Sequence, residues 1–184
     1  MTPVILRYGI IAGLIVSLPW LVYMLTLPAD GHMTHSMLLG YTLMIVAFSM
    51  VFVGIKQYRD RSLGGAIRFG KALLLGLGIS TVASLIYVLS WEICMAFSKY
   101  NFIAAYSKFI LDDARSHGAG PAEMEQAATQ AADFARMYGN PLYRMAFTFI
   151  EIFPVGVLVS LVSAALLRNS RLLPARPIST SART

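Results

Sequence analysis

Four long apolar runs alternate with polar segments along the chain, at about residues 4–27, 37–55, 72–97 and 142–167. Each is close to or above the roughly 20 residues that an α-helix needs to cross the hydrocarbon of a bilayer. Charges interrupt them rarely: Arg7 in the first, Glu92 in the third, Arg144 and Glu151 in the fourth. The first run is too long for a signal-peptide core, and "TLPADGH" follows it without a small-residue cleavage site. It is expected to be a retained span.

Between the third and fourth runs the pattern changes to a helical stripe. In "YNFIAAYSKFILDDARSHG", Phe102, Ile103, Tyr106, Phe109 and Ile110 recur at helical spacing. After a Ser-His-Gly-Ala-Gly break, Pro121 sits where a helix starts, and Met124, Ala128, Ala131, Ala135 and Tyr138 form a second stripe. Gly139 is suited to end that helix, and Pro141 opens the last apolar run. The pattern thus predicts an all-α protein: a four-span transmembrane bundle over 1–168, with an outer helical hairpin inserted at 98–140. The stripes are expected to pack on each other, on the bundle or on a partner. The polar, Pro-containing basic tail at 169–184, "NSRLLPARPISTSART", is expected to be disordered. No internal repeat points to an inverted-repeat transporter.

Lysine and arginine set the orientation. With the N-terminus inside, ten of the 15 fall on inner segments, five of them in or beside the short loop "KQYRDRSLGGAIRFGK". The five outer ones, Lys99, Lys108, Arg115, Arg136 and Arg144, are offset by Asp112, Asp113, Glu123, Glu125 and Asp133. Both termini are expected in the cytoplasm, and the protein in the inner membrane.

Composition agrees. The chain is 57% hydrophobic and 13% charged, against about 45–50% and 25% in soluble domains. The net charge of +6 does not indicate nucleic acid, because the basic residues flank apolar runs and form no basic domain. The single cysteine, Cys94, excludes an intramolecular disulfide framework and a cysteine-based zinc site, and reads as a small buried hydrophobe.

Helices in lipid gain from close approach at small residues. Three runs carry such residues four apart: Gly9, Gly13 and Ser17; Ala72, Gly76, Ser80 and Ser84; Gly156, Ser160 and Ala164. These rows predict tight helix crossings, within one chain or with a second copy. Leu75, beside the second row, is expected to face lipid.

The segment 40–91, with "FVGIKQYRD" closing span two and "GGAIRFGKA" leading into span three, resembles an uncharacterised bacterial membrane-protein family, domain of unknown function 4199. So does 138–168, with "NPL" opening span four and "FPVG" after Glu151. The resemblance implies a four-span inner-membrane protein with a helical outer insert. It implies no activity, cofactor or catalytic residue.

The candidate chemistry therefore rests on the intramembrane charges, which cost roughly 2.5–3.5 kcal/mol each at mid-membrane on insertion scales. Glu151 is two turns beyond Arg144, roughly 10 Å deeper, so Arg144, Thr148 and Glu151 are expected on one face. Glu92, 21 residues from Lys71, is placed just below the outer interface. Tyr23, Tyr41, Thr42, Tyr87 and Ser90 fall at similar depth, and Pro154 removes a backbone bond and can act as a hinge. Together they suggest an outward-facing polar pocket with Glu151 at its floor beside Arg144, Glu92 and Tyr87. The structural alternative is that Arg144 or a proton simply neutralises Glu151, while Trp20 and Trp91 form an interfacial belt.

"HMTH", with His32 and His35, has metal-compatible spacing but no evident third ligand. No phosphate-binding, nucleophile-elbow, zincin or dinucleotide motif is present. The expected function is a non-enzymatic accessory or scaffold protein without cofactor, whose partners are the bilayer and a second copy or another membrane protein. The competing reading is a small proton- or cation-linked transport or sensing module using Glu151 and Glu92.

Overall fold

A computed structural model describes residues 1–26, 37–171, 173 and 174. His32 and His35, and the tail residue 172 and those from 175 onward, lie outside the described residues. Six helices follow in order: α1 (Thr2–Thr26), α2 (Met37–Ser62), α3 (Phe69–Phe97), α4 (Phe102–Ser116), α5 (Pro121–Gly139) and α6 (Pro141–Leu167). Four of them, α1, α2, α3 and α6, are long and apolar enough to cross a membrane. The second outruns its apolar segment: α2 continues through "KQYRDRS" to Ser62, because nothing in that stretch breaks a helix before the glycines Gly64 and Gly65. Both glycines take positive φ, 65° and 95°, which other residues adopt only with strain.

The described residues form two compact units, and the division falls within α1, α3 and α6. The first unit comprises 1–16, 37–86 and 152 onward. Small residues set its crossings. A methyl group on Gly9 would lie 2.6 Å from Val82 Cβ, and one on Gly13 would lie 2.8 Å from Ile86 Cβ, so α1 and α3 touch where neither glycine leaves room for a side chain. Likewise a Cβ on Gly76 would meet Ser160 Cβ at 2.9 Å, and one on Gly156 would meet Ser80 Cβ at 2.8 Å. Ala72, Ser80, Ser84, Ser160 and Ala164 are fully buried. Ser80 Oγ donates to the Gly156 carbonyl at 3.1 Å and lies 3.1 Å from Ser160 Oγ, which itself donates to Gly156 O at 2.7 Å. The α3–α6 crossing is thus both close and hydrogen-bonded.

Helix α2 joins through a glycine that the four-residue rows did not reveal: a Cβ on Gly54 would meet Ile79 at 2.7 Å and Tyr8 at 3.1 Å. Leu75 is a correction. It is fully buried, and its neighbour Leu74, 64% exposed, faces outward instead. The small-residue row winds around α3 because four residues exceed one turn by about 40°, so Leu75 lies beside the row, on the packed side.

The second unit comprises 17–36 and 87–151. Its helical hairpin is the pairing of α4 with α5. Asn101 Oδ1 caps α4 by accepting from Ala104 N at 3.0 Å. Pro121 begins α5, where Glu123 accepts from Gly120 N at 3.0 Å. Tyr106 and Phe134 rings pack at 4.5 Å between centroids, Phe102 and Tyr138 at 5.6 Å. The buried stripe of α5 is Ala127, Ala131 and Tyr138, with Phe134 half-buried among them, whereas Ala128 is exposed. A seven-residue spacing with mixed three- and four-residue steps holds this stripe straight along the helix, which strict fourfold steps would not.

Outward-facing side chains on the spanning helices are large and apolar. On α1, Leu6, Ile10, Leu14, Leu18 and Val22 are all more than 40% exposed. In water such a face would drive association; in lipid it is ordinary surface. Four such helices make this a membrane protein.

Candidate functional site

The polar centre lies in the second unit, where α3, α5 and α6 meet. Arg144, one turn into α6, is 8% exposed. Its Nε donates to Glu92 Oε1 at 2.7 Å and its Nη2 to Glu92 Oε2 at 2.5 Å, a two-pronged pair that matches the planar guanidinium to the planar carboxylate. Its Nη1 donates to the Tyr138 carbonyl at 3.1 Å. That carbonyl belongs to the last turn of α5, where backbone oxygens lack helical donors, so Arg144 also caps α5. Trp91, the residue before Glu92, donates from Nε1 to Tyr138 Oη at 2.8 Å. Burial holds the Tyr138 phenol above its ordinary value, so it is protonated at neutral pH.

Aromatic rings cluster beside this pair. Trp91 stacks on Trp20 at 6.5 Å and meets Phe102 edge-on at 5.1 Å. Met24 and Cys94 are buried with Trp91, so Cys94 is a core residue. Ser98 Oγ donates to Met24 O at 2.8 Å and ties the ends of α1 and α3 together.

The partner of Arg144 differs from the expectation. Glu92, placed by sequence near the interface, takes the guanidinium, and Glu151 makes no ion pair or hydrogen bond among the described residues. Glu151 is exposed, whereas Arg144 and Thr148 are buried. The reason is helical phase. The buried row of α6 runs Arg144, Thr148, Ile152, Gly156, Ser160, Ala164, in steps of four. Each step turns about 40° further around the helix. Two steps carry the packed face to Ile152 and leave Glu151 about 100° to one side of it. A seven-residue relation to Arg144 does not keep a residue on a face that itself rotates.

Glu151 still has polar company. Its carboxylate is close enough to Tyr87 and Tyr138 to interact with both electrostatically. Thr148, one turn before it, is buried, and its hydroxyl interacts with the Tyr138 phenol. Pro154 lies inside α6 and, lacking N–H, leaves the Ile150 carbonyl without its helical donor. Tyr41 and Thr42 belong to the first unit; Tyr41 is 55% exposed, and Thr42 Oγ1 donates to Leu38 O at 2.6 Å within its own helix. Of the expected pocket, the structure brings together Glu92 with Arg144, and Glu151 with Tyr87 and Thr148. Tyr138 is central to both groups, although the sequence pattern shows it only as part of an apolar stripe; its hydroxyl, one residue before the end of α5, is the available signal.

No curated protein and no solved structure shows significant similarity to this chain. A family model does, over residues 7–169, and it spans the four membrane helices and the hairpin alike. The chain belongs to that family, described as protein of unknown function (DUF4199).

Proposed function

We propose that this is a multi-pass inner-membrane accessory or scaffold protein, non-enzymatic and cofactor-free, with both termini cytoplasmic, which works by contact through its α4–α5 hairpin. The observation that carries this reading is the uncovered apolar face of α4. None of its residues is buried, and Phe109 and Tyr106 are 58% and 37% exposed. Beside them, the strongest polar site is fully occupied by itself: Arg144 spends its donors on Glu92 and on the end of α5. Such a site supports a fastener that holds the hairpin's base, with a second copy or another membrane protein covering Phe109. A photo-crosslinking residue at Phe109 in native membranes should yield a protein adduct of defined mass, and one at exposed Thr129 should not. Adducts with lipid alone, or equal adducts from both positions, would defeat the contact reading.

A second reading is favoured by Glu151, which makes no ion pair among the described residues and lies beside Tyr87. Here the carboxylate exchanges a proton or small cation. Glu151→Gln separates the two: the contact reading expects wild-type crosslinking and cell phenotype, and the exchange reading expects a folded protein without activity.

A further inference from the structure

The cations of the first unit are gathered by an internal clamp. Arg59, fully buried near the end of α2, donates from Nη2 to Leu173 O at 2.5 Å and from Nη1 to Leu167 O at 3.4 Å. It thereby draws the end of α6, and the chain beyond it, against the end of α2. Tyr8 Oη donates to Gln57 Oε1 at 2.8 Å, which brings the start of α1 to the same place. Lys71 Nζ lies 5.8 Å from the Tyr58 ring centroid, which brings the start of α3 there as well.

The helix ends joined by these contacts carry six exposed cations: Arg7, Arg61, Arg68, Lys71, Arg168 and Arg171. The unit's single described carboxylate, Asp60, is already engaged by Lys56 at 2.6 Å and by Arg59 at 2.7 Å. Among the described residues, none of the six makes an ion pair. Phe69, 36% exposed, and Leu173, 49% exposed, lie in the same segments.

Like charges held together by a buried clamp repel one another unless an anion joins them. The location, at the ends of four membrane-capable helices and beside exposed apolar side chains, fits an anion that carries its own acyl chains. We propose that this collar binds the phosphate headgroups of anionic phospholipids. The proposal concerns a surface apart from the hairpin and does not depend on the contact reading.

The test uses the full chain purified in detergent, with thermal melting followed as phosphatidylglycerol or phosphatidylcholine is added at equal mole fraction. Phosphatidylglycerol should raise the melting temperature and phosphatidylcholine should not. The rise should shrink as salt goes from about 0.1 M to about 1 M, where screening shortens the reach of charge from roughly 10 Å to 3 Å. Replacing Arg61, Arg68, Arg168 and Arg171 together by Gln should lower the apparent affinity for phosphatidylglycerol by at least about tenfold, since each interfacial cation contributes to such binding. These side chains are exposed, and melting in phosphatidylcholine, unchanged from wild type, verifies the fold of the variant. A pairwise variant, Arg168→Gln with Arg171→Gln, should show an intermediate loss. Equal stabilisation by the two lipids, a rise reproduced by inorganic phosphate, or an undiminished rise in the fourfold variant would overturn the proposal.

Discussion

Among its described residues the first unit carries eight lysines and arginines against one carboxylate, while the second carries five against seven. Their interiors differ as well. The first is built on glycine and serine crossings, where the smallest side chains let backbones approach. The second is built on rings and a bidentate ion pair, with Trp20, Trp91, Phe102, Phe134 and Tyr138 around Arg144 and Glu92. The difference follows from how each unit satisfies its polar groups. In the first, Ser80 of α3 and Ser160 of α6 both donate to the Gly156 carbonyl of α6 at their crossing. In the second, the end of α5 exposes carbonyls that need a strong donor, and an arginine supplies it only when a carboxylate neutralises it. Close packing and charge pairing are thus alternative ways to fasten helices, each suited to its local sequence.

The comparison breaks most readily at Arg144. Arg144→Ala leaves Glu92 buried in part without its cation and α5 without its cap, and should cost about 3–5 kcal/mol of stability. Thermal or denaturant unfolding in detergent measures it, and a loss as small as that of a surface residue would remove the distinction between the units. In the first unit, Leu75→Ala should cost about 2–3 kcal/mol by leaving a cavity, and Gly76→Leu about 1–3 kcal/mol by forcing α3 and α6 apart. Leu74→Ala, on the lipid-facing side, should stay within about 0.5 kcal/mol. The same unfolding assay ranks all three, and equal losses for Leu74→Ala and Leu75→Ala would contradict the packing described.

A further substitution sharpens the second unit's side. Tyr138→Phe strands the Trp91 indole N–H and should cost about 1–3 kcal/mol. The pH dependence has a defined sign. Burial raises the Tyr138 pKa above its ordinary value of 10.0. Its folded-state contribution is therefore complete below about pH 10 and is lost as pH rises through the raised value. Wild-type melting should fall more steeply than that of Tyr138→Phe over this alkaline window, and parallel curves would show that the phenol is not held as described.

The spans, the hairpin and most close crossings were legible in the sequence because length, hydropathy and glycine spacing are local properties. Pro121, Pro141, Gly9, Gly13, Gly76 and Gly156 all occupy the roles their spacing implied. Gly54 was not legible, since a lone glycine in α2 forms no row. The pairing of charges was the main misreading. Spacing along α6 joined Arg144 to Glu151, but choosing between Glu151 and Glu92 depends on which face of α6 is packed, and that face rotates along the helix. Leu75 failed for the same reason on α3. A position two turns from a known contact is correctly placed only once the direction in which neighbouring helices cross is known.

Arg144 is fastened by Glu92 and not by Glu151. A double-mutant cycle measures this directly, using Arg144→Met with Glu92→Gln and, separately, with Glu151→Gln, each followed by unfolding in detergent. The expected coupling is about 1–3 kcal/mol between Arg144 and Glu92, as for groups in direct contact, and less than about 0.5 kcal/mol between Arg144 and Glu151. A coupling to Glu151 equal to or larger than that to Glu92 would contradict it.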